Sequence, residues 1–139
     1  MAESKARSGG CLCRGVRYEV DGPLRPIVMC HCTQCRRSSG HFLAATAARR
    51  AHFRLRTAET LAWFDSSPEA RRGFCARCGS TLFWDDSRRD YLSIAAGSLD
   101  DTRDLSVACH IFVADKGAYY QILDAAPQLS GGGFKVPWS

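Results

Sequence analysis

Three cysteines fall within six residues at Cys30-His31-Cys32-Thr33-Gln34-Cys35, directly after the apolar run Ile27-Val28-Met29 and directly before Arg36-Arg37. If the apolar run is a strand, its period of two puts Cys30 and Cys32 on one face, and the turn that follows swings Cys35 round to join them. Three thiolates then converge on one point. Catalytic zinc is held by three protein ligands with the fourth position open, whereas structural zinc is closed with four. A zinc with three thiolates carries a net charge of about −1, which blunts its acidity toward water and matches it to a fourth, soft sulfur ligand. The tripod therefore suits thiol chemistry better than hydrolysis.

Whether the site is open depends on the other five of the eight cysteines. Cys11-Leu12-Cys13 repeats the C-x-C spacing where a glycine-flanked loop enters a strand, and Cys75-Ala76-Arg77-Cys78-Gly79 has the form of a zinc knuckle. In such a knuckle the two thiolates point the same way, backbone N–H groups donate to the sulfurs, and Gly79 takes the positive φ that closes the turn. The simplest partition joins Cys11, Cys13, Cys75 and Cys78 into a closed four-thiolate site and leaves Cys30, Cys32 and Cys35 one ligand short. The rival reading completes the tripod with His31, His41, Cys109 or His110. In an extended C-H-C segment His31 points away from the face its neighbours share. Cys109 and His110 are adjacent in a strand, so at most one faces a metal, and Cys109 reads as a small core residue. Of the four arginine pairs, Arg49-Arg50, Arg71-Arg72 and Arg88-Arg89 read as solvated surface. Arg36-Arg37 follows the tripod, where guanidinium groups could offset thiolate charge and hold a carboxylate by bidentate bonds.

The elements that must position these residues are short. Val16–Val20 alternates apolar and polar as a half-buried strand, and Ile27–Cys32 is the next. Thr33 caps a helical turn through Ser38 that Gly40 releases. Residues 41–48 fit either state, their alanines suiting a helix and their flanks a strand. Further strands are expected at 53–55, 61–64, 81–84, 91–95, 107–113 and 119–123, with a turn around Ser67-Pro68. The sum is an all-β fold of several short antiparallel strands in packed small sheets, stapled by zinc. Residues 1–9 read as a disordered leader and 10–139 as one domain. Phe134 and Trp138 are candidates to pin the irregular tail.

A length of 139 residues is that of a single domain, and 45% hydrophobic residues is ordinary for a globular chain. Nothing approaches the roughly 18 apolar residues of a membrane span, and the first ten residues lack the apolar centre of a secretory signal. This predicts a cytoplasmic protein, where clustered cysteines favour metal binding over disulfides. A net charge of +5 favours anionic ligands without demanding nucleic acid.

Five segments together resemble one known family. They are Gly10-Cys11-x-Cys13-x-Gly15-x-x-Tyr18, Cys30-His31-Cys32-x-x-Cys35-Arg36-Arg37-x-x-Gly40, Arg72-x-Phe74-Cys75-x-x-Cys78-Gly79-x-x-Leu82, Gly97-Ser98-Leu99-Asp100-Asp101 and His110-Ile111-Phe112-Val113-x-Asp115-Lys116. The chain is similar, from about residue 9 to residue 130, to the glutathione-dependent formaldehyde-activating (GFA, or centromere-protein-V domain) family. That resemblance implies an Mss4-like fold with two zincs, the structural one on Cys11, Cys13, Cys75 and Cys78 and the catalytic one on Cys30, Cys32 and Cys35. It also implies a carbon–sulfur lyase that joins formaldehyde to glutathione as S-hydroxymethylglutathione. The chain departs from the family pattern at Tyr119-Tyr120, where a Trp is common after Lys116, and at Ala126-Pro127-Gln128-Leu129. The expected partners are a small thiol and an aldehyde-type substrate, with neither nucleic acid nor membrane. Arg36 or Arg37 would hold a glutathione carboxylate, and His31 is a candidate proton shuttle. The competing class is a zinc-stabilised binding module in which both metals are structural and nothing is catalysed.

Overall fold

The computed structural model describes residues 6–133 and 135–138. Its elements run in order β1 (Arg7–Gly10), β2 (Val16–Val20), β3 (Ile27–Cys30), α1 (Thr33–Ser39), β4 (Leu43–Arg49), β5 (Phe53–Ala58), β6 (Leu61–Asp65), β7 (Ala70–Cys75), β8 (Thr81–Asp86), β9 (Tyr91–Ala95) and β10 (Val107–Ile111). One sheet has the order β1-β2-β5, and a larger one β10-β3-β4-β9-β8-β7-β6. The mostly-β expectation therefore holds, with one short helix. One pair departs from the antiparallel pattern, because β10 runs parallel to β3 with Ile111 opposite Cys30. A parallel pair needs a long crossover, and here all of α1 and β4–β9 lies between the two strands.

The core lies between the sheets. Val16, Tyr18 and Val20 of β2 are fully buried while Arg17 and Glu19 alternate outward, and they meet Phe83, Leu92 and Ile94 of the larger sheet in one cluster. Tyr18 stacks on Phe53 at 5.6 Å between ring centroids and meets Phe83 edge-on at 5.5 Å, and its hydroxyl is 2.7 Å from Ser98 Oγ. Burying each such side chain is worth about 1.5–3 kcal/mol, and the pairing of aromatic rings adds to that.

Residues 41–48 resolve as strand from Leu43 onward, with Ala47 and Ala48 fully buried. β4 is bonded on both sides, to β3 and β9, and that pairing overrides the helix propensity of alanine. Strand β7 escapes the sequence reading because Arg71-Arg72-Gly73 lacks an apolar alternation. Gly73 is needed there, since a Cβ would come within 2.9 Å of the rings of Phe83 and Trp63.

Two expectations are corrected. Arg7–Gly10 is a strand rather than the end of a leader, because it pairs with β2, Gly10 opposite Arg17; residues 1–5 of that leader lie outside the described residues. Residues 119–123 are turn and coil, with Tyr119 67% and Leu123 88% exposed. The free edge of β10 is taken instead by the following coil: His110 N donates to Pro127 O at 2.8 Å and Leu129 N to His110 O at 2.9 Å. Trp138 pins the tail through the Arg49 guanidinium, 4.0 Å from its ring centroid; Phe134 lies outside the described residues.

Candidate metal centres and the adjoining recess

Cys11 and Cys13 sit in the loop from β1 to β2, Cys75 ends β7, and Cys78 follows in the knuckle turn. Their four sulfurs lie within 4.8 Å of one another, with Cys13 Sγ 3.6 Å from both Cys11 Sγ and Cys75 Sγ. With zinc–sulfur bonds of about 2.3 Å, the edge of a tetrahedral four-sulfur site is about 3.8 Å, so the donor set fits that ion. Backbone N–H groups already face the sulfurs: Val16 N to Cys11 at 3.3 Å, and Arg77 N and Cys78 N to Cys75 at 3.4 and 3.3 Å. Gly79 has φ of +80°, as the knuckle requires. The Ser80 hydroxyl, 3.2 Å from the sulfur, followed by backbone N–H groups, brings the Cys78 thiol down to about 5. The cluster joins the β1-β2-β5 sheet to the larger one at the β7 end.

The sulfurs of Cys30, Cys32 and Cys35 form the second group within 4.8 Å. Cys30 ends β3, Cys35 is a buried residue of α1, and Cys32 caps α1, its sulfur accepting from Cys35 N at 3.3 Å. The cap is thus Cys32 rather than Thr33, because the segment between β3 and α1 places a sulfur over the first turn. Gly40 ends the helix with φ of +88°. Hydrogen bonds from the sulfurs of Cys30 and Cys35, then from backbone N–H groups, hold the Cys32 thiol down to about 2, while the same crowding pushes Cys30 far up. Three adjacent thiols cannot all ionise unaided, and a soft cation supplies the charge that lets them.

Among the described residues no fourth His, Cys, Asp or Glu donor joins this group, and each candidate is occupied elsewhere. His31 is buried on the far side of the C-H-C segment, with Nδ1 2.5 Å from Tyr120 OH and Nε2 2.9 Å from His110 Nδ1. His110 Nε2 is 3.0 Å from both carboxylate oxygens of Asp124. The His110 bond leads the contacts that hold Asp124 below its ordinary value, so the ionised Asp124 accepts from His110 Nε2–H. The His110 Nδ1–His31 Nε2 contact and the His31 Nδ1–Tyr120 hydroxyl contact each hold one hydrogen between their two atoms. Burial, followed by the neighbouring histidines, lowers His31 to about 4, so it is neutral at pH 7. With both ring nitrogens committed, His31 is neither a ligand nor placed to shuttle a proton at the sulfurs. His41 Nδ1 bonds the Tyr119 hydroxyl, and Cys109 is fully buried in β10.

Residues directly opposite one another in an antiparallel pair share a face. Phe64, Arg72, Trp84 and Ser93 are successive partners across β6, β7, β8 and β9, and Cys30 is opposite Leu43. Helix α1 is tied down beside this row by Thr81 Oγ1 to Ser38 O at 3.0 Å and Gln34 Nε2 to Ser66 O at 3.3 Å. A small recess lined by Leu43, Ala45, Thr81, Trp84, Ser93 and Ala95 opens on the sheet. A cleft of about 270 Å³ bounded by Asp65, Glu69, Arg71 and Asp85 contains no cysteine.

Three of the four arginine pairs have partners. Arg49 binds Asp90, Arg50 and Arg71 bind Asp85, and Arg88 and Arg89 bind Asp86. Arg36 and Arg37 lie in the last turn of α1 and make no ion pair among the described residues. Arg72, read from sequence as surface, instead reaches the tripod: Nη1 and Nη2 stand 3.8 and 3.7 Å from Cys35 Sγ. The signal available in the sequence was the pair itself, since adjacent strand residues face opposite ways and only one of Arg71 and Arg72 can be on the outer face. The His110–Asp124 link had no such signal, as neither residue lies near the cysteines in sequence.

A family model described as glutathione-dependent formaldehyde-activating enzyme matches residues 6–115. The crystal structure of a Rhodobacter sphaeroides protein is similar, with a TM-score of 0.58 and 25% identity over 70% of this chain and 91% of that one. No curated protein matches the chain.

Proposed function

As the chain belongs to the glutathione-dependent formaldehyde-activating enzyme family, we propose that it is a zinc-dependent carbon–sulfur lyase acting on a thiol adduct of an aldehyde. The fold is read as Mss4-like, with structural zinc on Cys11, Cys13, Cys75 and Cys78 and catalytic zinc on Cys30, Cys32 and Cys35. The observation that carries this reading is the second sulfur cluster, which lacks a fourth donor among the described residues. The location proposed is the cytoplasm, a reducing compartment in which clustered cysteines favour metal binding over disulfides. No helix among the described residues is long and apolar enough to cross a membrane.

Zinc bound at the tripod would offer its one open position either to the incoming thiol, held as thiolate, or to the aldehyde oxygen, which it would polarise. In the addition, a bond forms between the thiol sulfur and the aldehyde carbon, and the thiol proton ends on the former carbonyl oxygen. For glutathione and formaldehyde the product is S-hydroxymethylglutathione. The chain's own residues hold the reactants. Cys30, Cys32 and Cys35 fix the metal at the end of β3. Arg36 and Arg37, without ion-pair partners among the described residues, are assigned to a carboxylate of the thiol.

Metal counting during stepwise chelation, with and without glutathione, tests this. One zinc should leave early with the fold intact, and its loss should respond to added thiol. Two equally tight zincs indifferent to thiol would instead support the binding module with two structural metals.

A further inference from the structure

Resting on this reading, an aldehyde at the tripod meets several sulfurs at once, the three cysteines and the incoming thiol. Addition to a cysteine would form its carbon–sulfur bond to the protein, with the cysteine's proton passing to the aldehyde oxygen, and would consume a metal ligand. A productive site must disfavour its own sulfurs. Cys32 Sγ already accepts from the backbone N–H of Cys35 at 3.3 Å. Cys35 Sγ is met by both terminal nitrogens of Arg72. The guanidinium is itself aimed, by Nη2 to Gln34 Oε1 at 3.2 Å and Nη1 to Ser38 Oγ at 3.5 Å. Its Nε is buried with no partner. An unpaired buried donor is costly, and a fold that keeps one has a reason to hold that group in place.

We infer that Arg72 is a positioning residue that masks the Cys35 sulfur, so that the electrophile is directed to the incoming thiol, whose sulfur Arg72 does not cover. On a sulfur already ionised by a metal, charge-assisted N–H···S bonds draw lone-pair density from the thiolate and lower its intrinsic nucleophilicity. The planar fork of arginine covers one sulfur with two donors, which lysine cannot do.

The test is peptide mapping of the zinc-loaded protein after limited reaction with iodoacetamide, with no thiol added, scored as the ratio of label on Cys35 to label on Cys32. Zinc per chain is measured on each sample and only fully loaded samples are compared, because without the metal the three sulfurs ionise unequally. Arg72→Met should raise the ratio about tenfold, the effect of losing one charge-assisted bond, and Arg72→Lys should fall between the two. If Arg72→Met does not fold, the Arg72→Lys comparison stands alone. A ratio left at the wild-type value in every folded variant overturns the inference. Because no cosubstrate is present, the outcome is separate from the activity: a raised ratio in a protein whose zincs ignore glutathione would uphold the masking and sink the proposed reaction.

Discussion

Serine in place of one cysteine from each cluster should have unequal consequences for stability. Cys13 and Cys75, whose sulfurs are 3.6 Å apart, are separated by 62 residues in the chain, and a cross-link closing such a loop contributes about 4 kcal/mol through the entropy of the unfolded chain. Cys78 belongs to that cross-link, so Cys78→Ser should cost about 4 kcal/mol. For a domain of this size each kcal/mol moves Tm by about 2–4 °C, which gives a fall of about 8–16 °C. Cys35 closes only a short span that β3 and α1 already order, and its loss should cost about 1 kcal/mol and about 2–4 °C. The assay is thermal unfolding by circular dichroism of zinc-loaded wild type, Cys78→Ser and Cys35→Ser, with zinc per chain measured on each sample. Equal falls in Tm, or a larger one for Cys35→Ser, would refute the division into one structural and one open site.

Two further outcomes are expected. Asp86 is buried, and hydrogen bonds from the Arg88 side chain and backbone hold its carboxylate well below the ordinary 3.8. Since the folded value lies below the unfolded one, its contribution is present above the ordinary carboxylate range and is lost as pH falls below it; urea unfolding from pH 6 to pH 3 should therefore show a shallower decline for Asp86→Asn than for wild type, and parallel curves would exclude this role. In steady-state kinetics, Arg36→Ala or Arg37→Ala should raise KM for glutathione about tenfold with kcat within about twofold, the pattern of lost ground-state binding; a fall in kcat at constant KM would remove these residues from carboxylate recognition.

Much of the site was legible because cysteine spacing is local chemistry. C-x-C and C-x-x-C place sulfurs within a turn of one another whatever the rest of the chain does, so the two donor groups emerge from the sequence with the membership that the structure shows. The strands β2 and β9 were equally plain, Val16–Val20 because alternating apolar residues bury one face and turn the other outward, and Tyr91–Ala95 because a short, largely apolar run between turns reads as a buried strand. The positive φ at Gly79 followed from the turn a knuckle needs.

What tertiary structure decided are the partners that lie far apart in the chain. No local pattern makes β10 lie parallel to β3 or sends the 127–129 segment along its free edge, since strand pairing is chosen by which edges remain once the sheet is assembled. The alanines of β4 became a strand because both neighbours offered hydrogen bonds. His31, which the sequence turned away from the ligand face and left as a candidate proton shuttle, has both nitrogens taken by His110 and Tyr120, 79 and 89 residues away. Arg71 and Arg72 are indistinguishable as a pair in the sequence; the pleat sends one to Asp85 and the other to the sulfur of Cys35. Residue type and spacing fix which atoms can bind a metal, and only the folded sheet fixes which charged group stands beside it.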